Sequence, residues 1–308
     1  VISALLDRAS RSSRSRHLVE TFPLTRRVVD RFVAGETSRD AVEVAAALAA
    51  SGMRVSIDVL GEDVVDGGGA RRTGQAYVDL LQLLDERGLA SGADVSLKLS
   101  ALGRALPQGG EAMAAEHAHG ICEVAASVGS TVTLDMEDHT TVDSTLRIGE
   151  QLRATFPWVA TVLQSNLRRT DGDIAAVADP PARVRLVKGA YREPGTVAHE
   201  RKRDVDRAYA RQIEALMASG CHPMIATHDP AMLEHARASA ARHGRAPGDW
   251  EVQMLFGVRT DLQRQVRDRG DTMRVYVPFG TDWYGYLMRR LAERPANVVF
   301  FLRALAGR

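Results

Sequence analysis

The chain has 308 residues, 45% hydrophobic and 26% charged, an ordinary balance for a globular protein. A net charge of +1 excludes a general nucleic-acid or membrane-surface field. Two cysteines, Cys122 and Cys221, lack metal-ligand spacing and form no disulfide framework, so the expected setting is reducing and cytoplasmic. No apolar run approaches the roughly 20 residues of a spanning helix, so no transmembrane segment is expected. The length suits two average domains or one large α/β barrel.

In chain order, residues 1–50 are charged and alanine-rich, and read as an N-terminal helical region. "SRDAVEVAAALAASG" within it is a capped helix closed by Gly52. From residue 51 to 308 a unit recurs in which a short β-branched run ends in polar residues and leads into a helical pattern. The runs are "RVSIDVLG", "DVSLKLSALG", "TVTLDMEDH", "VATVLQSNL", "RVRLVKGAY", "HPMIATHD", "WEVQMLFG" and "MRVYVPFG". Strands alternating with helices predict a parallel sheet, and this series predicts a (β/α)8 barrel rather than an open sheet.

Between the first two runs, "VDGGGARRTGQAY" reads as a flexible glycine loop entering a helix, without a dinucleotide fingerprint. No P-loop, HExxH or GxSxG motif occurs. His117 and His119 are two residues apart and do not share a helix face, which argues against a metal pair.

Asp58, Lys98, Asp135, Gln164, Arg185, Thr227, Gln253 and Tyr276 each fall late in a run. In a barrel those strand ends converge on one face, where catalytic groups sit. An unpaired Lys98 or Arg185 inside a closed barrel would be too costly to persist, so carboxylate partners are expected. Asp135, Glu137 and Asp138 form the one acidic cluster. It reads either as hard oxygen ligands for a metal or, more naturally, as carboxylates ordering neighbouring cations; no metal is assigned. His228 is open between general base and neutral hydrogen-bonding group. Lys98 is open to a Schiff-base role.

The last helix, in "GTDWYGYLMRRLAERPAN", starts after Asp282 and stops at Pro295. It carries two stripes on opposite faces: Tyr284, Leu287, Met288 and Leu291 as core, and Tyr286, Arg289, Arg290 and Glu293. Arginine pairs beside tyrosine walls suit a small amino acid, with its carboxylate on guanidinium forks.

Taken together, "VSLKLSALG", "LDMED", "LQSNLRRT", "RLVKGAYRE", "ATHD", "EVQMLFGVR" and "YVPFGTDWYGYLMRRLAERPAN" resemble, in order from about residue 50 to 300, the motif series of the proline dehydrogenase family. The resemblance implies a distorted (β/α)8 barrel that binds FAD. It implies oxidation of L-proline to Δ1-pyrroline-5-carboxylate by hydride transfer to the flavin, with electrons passed to a membrane quinone. This is the first step of proline catabolism to glutamate, with a pyrroline-5-carboxylate dehydrogenase downstream. Any membrane contact is expected to be weak and peripheral, at the inner face of the cytoplasmic membrane.

Carried over by motif, Arg289, Arg290 and Lys98 match the proline carboxylate clamp, with Glu293 supporting the arginines. Asp135 matches the active-site aspartate, and Arg185 the arginine beside the flavin. Met136, Gln164, Val187, Lys188, Gly189, Ala190, Thr227, His228 and Gln253 match flavin-contacting positions. Tyr276, Tyr286, Leu255 and Tyr191 match the surroundings of the substrate ring; tyrosine at position 276 goes with proline rather than hydroxyproline. Two residues depart from the pattern: Asp229 stands where asparagine is common, and Asn166 where tyrosine is common.

Overall fold

The computed structural model describes residues 29–61 and 64–293, with side chains described as far as Met288. Helix α1 (Ser38–Ala50) opens on a capping box. Thr37 accepts the Asp40 N–H, and the Asp40 carboxylate accepts the Thr37 N–H at 2.9 Å. It ends as expected beside Gly52, whose φ of +80° lies in the left-handed region.

Eight parallel strands then close into a barrel in sequence order, each on its predicted run, with β2 and β8 starting one residue ahead of theirs. They are β1 (Arg54–Val59), β2 (Ala93–Leu97), β3 (Thr131–Leu134), β4 (Ala160–Gln164), β5 (Arg183–Val187), β6 (His222–Ala226), β7 (Glu251–Leu255) and β8 (Thr272–Phe279). Pairing of β1 with β8, with Ser56 opposite Tyr276, closes the ring. The intervening helices are α2 (Gly67–Glu86), α3 (Gly110–Val128), α4 (Val142–Arg153), α5 (Thr170–Val177), α6 (Lys202–Ala218), α7 (Pro230–Arg242) and α8 (Thr260–Asp268), with α9 (Trp283–Glu293) after β8.

The period-two alternation of the strands places the core. Val55 and Ile57, Val95 and Leu97, Val184 and Leu186, and Val275 and Val277 belong to an apolar layer shared with helix residues such as Leu80, Leu84, Ile121, Ile213 and Leu216. Ala41, Val42 and Ala45 of α1 belong to the same layer. The alternate strand positions are polar: Ser56 and Asp58, Asp94 and Ser96, Arg183 and Arg185, Arg274 and Tyr276. These interior residues bond one another across the barrel, so its lumen is a hydrogen-bonded polar core rather than the usual packing of branched apolar side chains.

The triple glycine differs from its reading as a flexible loop. Gly67, Gly68 and Gly69 form the first turn of α2, and the Asp66 carboxylate accepts the Gly69 N–H at 2.7 Å. An N-cap aspartate satisfies first-turn donors that glycine's weak helix propensity would otherwise leave exposed.

A smaller cluster joins the two ends of the described chain. Val29, Phe32 and Val33 pack with Leu60 and with Trp283, Tyr284, Tyr286, Leu287 and Met288 of α9. Gly257 lets this segment approach the loop after β7: a Cβ there would lie 1.6 Å from the Arg31 carbonyl oxygen. The predicted core stripe of α9 is thereby buried at Tyr284, Leu287 and Met288, and Tyr286 of the opposite stripe is buried as well. The side chains of Arg289, Arg290, Leu291 and Glu293 lie outside the described residues.

Candidate active site

At the C-terminal end of the barrel, Asp58, Lys98, Asp135, Arg185 and Tyr276 meet in one network. Lys98 Nζ donates to Asp58 Oδ2 at 2.7 Å and to the Tyr276 hydroxyl at 3.2 Å, and lies 3.6 Å from Asp135 Oδ2. Arg185 Nη1 donates to Asp135 Oδ1 at 2.7 Å, and the Tyr276 hydroxyl donates to Asp135 Oδ2 at 2.7 Å. The guanidinium carbon of Arg185 stands 5.5 Å from the centre of the Tyr276 ring. Both interior cations thus have the carboxylate partners that burial demands.

Burial and charge act oppositely on the two aspartates. For Asp58 burial dominates and raises the carboxyl, with Lys98 as the main counterweight. For Asp135 burial also raises, but Lys98 and Arg185 together overcome it and hold the carboxyl below its ordinary range. The Tyr276 phenol is pushed well up by burial and by the two carboxylates, so it remains a proton donor to Asp135. A Schiff-base role needs a neutral amine. Two carboxylates within 3.6 Å of Lys98 favour the ammonium form instead.

The remaining acidic residues of "DMED" are held apart from this network. Glu137 accepts from Arg104 Nη2 at 2.9 Å and from the Ser100 N–H at 3.1 Å. Asp138 accepts the Thr140 N–H at 2.8 Å and caps a short 3-10 turn. Among the described residues no group of three or more potential ligands is arranged to hold a metal.

The ends of β3 to β6 and the loops after them supply the other predicted positions. Met136 is buried with Val142, Val162 and Leu167. Gln164 Nε2 donates to the Glu137 carbonyl at 2.8 Å. Lys188 Nζ lies 2.5 Å from Asp206 Oδ1 and 3.3 Å from Asp229 Oδ2, so the departure at 229 adds a second carboxylate to this lysine. Asp229 also accepts the Ala231 N–H at 3.0 Å as the cap of α7. Gly189 has φ +97°, and a Cβ there would lie 2.0 Å from Asn166 Oδ1. Val187 is half-buried and Ala190 exposed at the same rim.

Thr227 Oγ1 accepts the Asp229 N–H at 3.1 Å. His228 Nε2 accepts the Leu255 N–H at 3.0 Å, which places the ring proton of a neutral imidazole on Nδ1. That geometry favours the hydrogen-bonding reading of His228 over the general base. Leu255, Tyr191 and Tyr276 are half-buried.

Gln253 sits deeper than expected. It is the central residue of β7, and its amide donates to Glu251 Oε1 at 2.6 Å and approaches Met224 Sδ at 3.3 Å. Arg185 is likewise central in β5 and reaches the mouth only through its length.

Sequence reasoning missed the layer below. Asp94, fully buried, accepts from Ser56 Oγ at 2.6 Å, Thr131 Oγ1 at 2.8 Å and Thr133 Oγ1 at 2.9 Å. Glu251 accepts from Arg274 Nε at 2.7 Å, and Arg274 Nη1 donates to the Val55 carbonyl at 2.8 Å. The polar i, i+2 repeats in otherwise apolar strands were the available signal.

Buried polar atoms near the mouth that have no partner among the described residues include Ser165 Oγ, Asn166 Oδ1 and Arg185 Nε. Native interiors rarely leave such atoms unsatisfied without a bound group or water. Together with the side-chain-free Gly189, they suit a polar cofactor that both donates and accepts hydrogen bonds, lying across the ends of β4 and β5.

The family described as proline dehydrogenase matches the chain over residues 41–303. The proline dehydrogenase of Deinococcus radiodurans is 37% identical over 280 residues, covering 90% of each chain. Proline dehydrogenase 1 of Bacillus subtilis strain 168 is 38% identical over 281 residues, covering 91% of each. A crystal structure of proline utilization A from Bdellovibrio bacteriovorus, inactivated by N-propargylglycine, shares the fold with a TM-score of 0.80 at 23% identity. That superposition covers 87% of this chain and 32% of the other, so this chain spans about a third of that protein. The chain belongs to the proline dehydrogenase family.

Proposed function

We propose that the protein oxidises L-proline to Δ1-pyrroline-5-carboxylate, with FAD as its redox group and a membrane quinone as the final electron acceptor. The observation that carries this reading is the Lys98–Asp58–Asp135–Arg185–Tyr276 network at the barrel mouth, in a chain matching the family over residues 41–303.

When bound, FAD supplies the two-electron acceptor for the hydride that leaves the ring carbon next to nitrogen. Met136, Gln164, Val187, Lys188, Gly189, Ala190, Thr227 and His228 would hold it. The unpartnered Ser165, Asn166 and Arg185 atoms support that placement. Gln253 would support the floor of the site, since its amide is already engaged below.

The chain's own residues bind and orient the substrate. Lys98, Arg289 and Arg290 take the proline carboxylate, with Glu293 holding the arginine forks. Tyr191, Leu255, Tyr276 and Tyr286 wall the ring and exclude water. Asp135 fixes the Tyr276 hydroxyl and the Arg185 guanidinium at 2.7 Å each, so neither reorients as charge moves. Such preorganisation converts an encounter into a held geometry.

No helix among the described residues is long and apolar enough to cross a membrane. Delivery of electrons to a quinone would use weak, peripheral contact. The product would pass to a pyrroline-5-carboxylate dehydrogenase. The test is the absorbance spectrum of the purified protein, followed by bleaching with L-proline. Protein that stays colourless after addition of FAD overturns the reading.

A further inference from the structure

Arg185 is held from two sides, and only the upper one belongs to the site described so far. From above, Nη1 donates to Asp135 Oδ1 at 2.7 Å and to Ser96 Oγ at 2.9 Å. From below, Nη2 donates to Ser56 Oγ at 3.0 Å and lies 3.6 Å from Asp94 Oδ2. Each serine has a single hydroxyl proton, and each gives it to a carboxylate. Ser56 donates to Asp94 at 2.6 Å, and Ser96 donates to Asp135 at 2.8 Å. Both hydroxyls are therefore left as acceptors toward the guanidinium.

Asp94 is itself immobilised. Thr131, Thr133 and Ser56 donate to it, and Arg183 Nη1 lies 3.5 Å away. With Asp135 alone, the guanidinium could turn about its Cδ–Nε bond. The second hold on Nη2 fixes the plane. Both terminal nitrogens are then engaged, while Nε is buried without a partner among the described residues.

We propose that Ser56 and Asp94 are positioning residues for Arg185, fixing its guanidinium from the barrel floor so that Nε–H is reserved for the group bound at the mouth. This rests on the reading of that group as FAD. Ser56 and Asp94 touch neither substrate nor cofactor and act through Arg185 alone. Their effect falls on the charge that develops at the mouth during reduction, not on proline binding.

The test uses full-length, FAD-loaded Ser56→Ala and Asp94→Asn beside the wild type, with steady-state kinetics and the flavin midpoint potential as readouts. In Ser56→Ala kcat should fall about tenfold, the weight of one net hydrogen bond, while KM for proline stays within about twofold. The potential should move negative by about 30 mV, which is a tenfold loss of preference for the reduced form in a two-electron couple. Asp94→Asn keeps the side-chain volume and should shift both readouts the same way, so it decides the matter if Ser56→Ala does not fold. Unchanged potential and kcat in a folded variant overturn the proposal. A wild-type protein that takes up no FAD overturns the cofactor reading instead, before any variant is compared.

Discussion

Lys98 Nζ sits 2.7 Å from Asp58 Oδ2, and Asp58 is fully buried at the end of β1. The pair forms the inner wall of the cluster that we assign to substrate. The Tyr77 hydroxyl, which donates to the Ser96 carbonyl at 2.6 Å, also reaches Asp58 Oδ1 at 3.4 Å.

Asp58→Asn keeps the shape and removes the charge opposite Lys98. Breaking one side of a buried ion pair costs about 3–5 kcal/mol, and Asp135 at 3.6 Å places this case at the low end. Urea denaturation of the variant should show a loss of about 3 kcal/mol. A wild-type midpoint would mean that Asp135 alone suffices for Lys98.

Gly189→Ala should damage cofactor retention. Its φ of +97° is unfavourable for alanine, and the new Cβ would meet Asn166 Oδ1 at 2.0 Å. The backbone strain alone is about 1–3 kcal/mol. The variant is expected to purify with less than one FAD per chain while its circular dichroism stays native. Adding Asn166→Ala relieves the contact but not the strain, so retention should recover only in part.

Arg289→Met and Arg290→Met should each raise KM for proline by the equivalent of about 2–5 kcal/mol, with FAD still bound. The measurement is steady-state kinetics at saturating acceptor, together with the flavin spectrum. Wild-type KM in either variant would remove that arginine from the clamp.

Stability should fall in acid partly through Glu251. Burial works to raise its carboxyl, but Arg274, helped by His222 and Arg183, outweighs burial and holds it well below the ordinary value of 4.5. Below that value the unfolded chain takes up a proton that the folded chain refuses. Stability therefore drops as pH falls, and this contribution is intact above the ordinary value. Glu251→Gln should be weaker at neutral pH, because Arg274 loses its partner, yet show a shallower decline between roughly pH 5 and pH 3. Urea midpoints across that range supply the check; parallel curves for variant and wild type would assign the acid limb elsewhere.

The barrel was legible because its strands are short β-branched runs punctuated by polar ends, and all eight fall where those runs predict. The meeting of Lys98, Asp135 and Tyr276 followed from their places late in three of those runs. Depth inside the lumen was harder to read. Gln253 and Arg185 look like strand ends in one dimension, but the register places both at mid-strand. Asp94 and Glu251 stand first and second in their runs, where a charged residue ordinarily signals a solvated end; only closure of the ring reveals them as buried. The triple glycine misled for another reason. Its composition argues for a loop, and the single Asp66 cap outweighs that tendency.

The apolar cluster that joins Phe32 and Val33 to Trp283 and Leu287 has a consequence for biosynthesis. A ribosome delivers the amino-terminal partners some 250 residues before the carboxy-terminal ones. Until then β1 also lacks its β8 neighbour, and its free edge is open to foreign strands. The nascent chain thus carries an exposed greasy patch and an unsealed sheet through most of its translation. Both are covered late, when β8 and then α9 emerge and α9 packs on Phe32 and Val33.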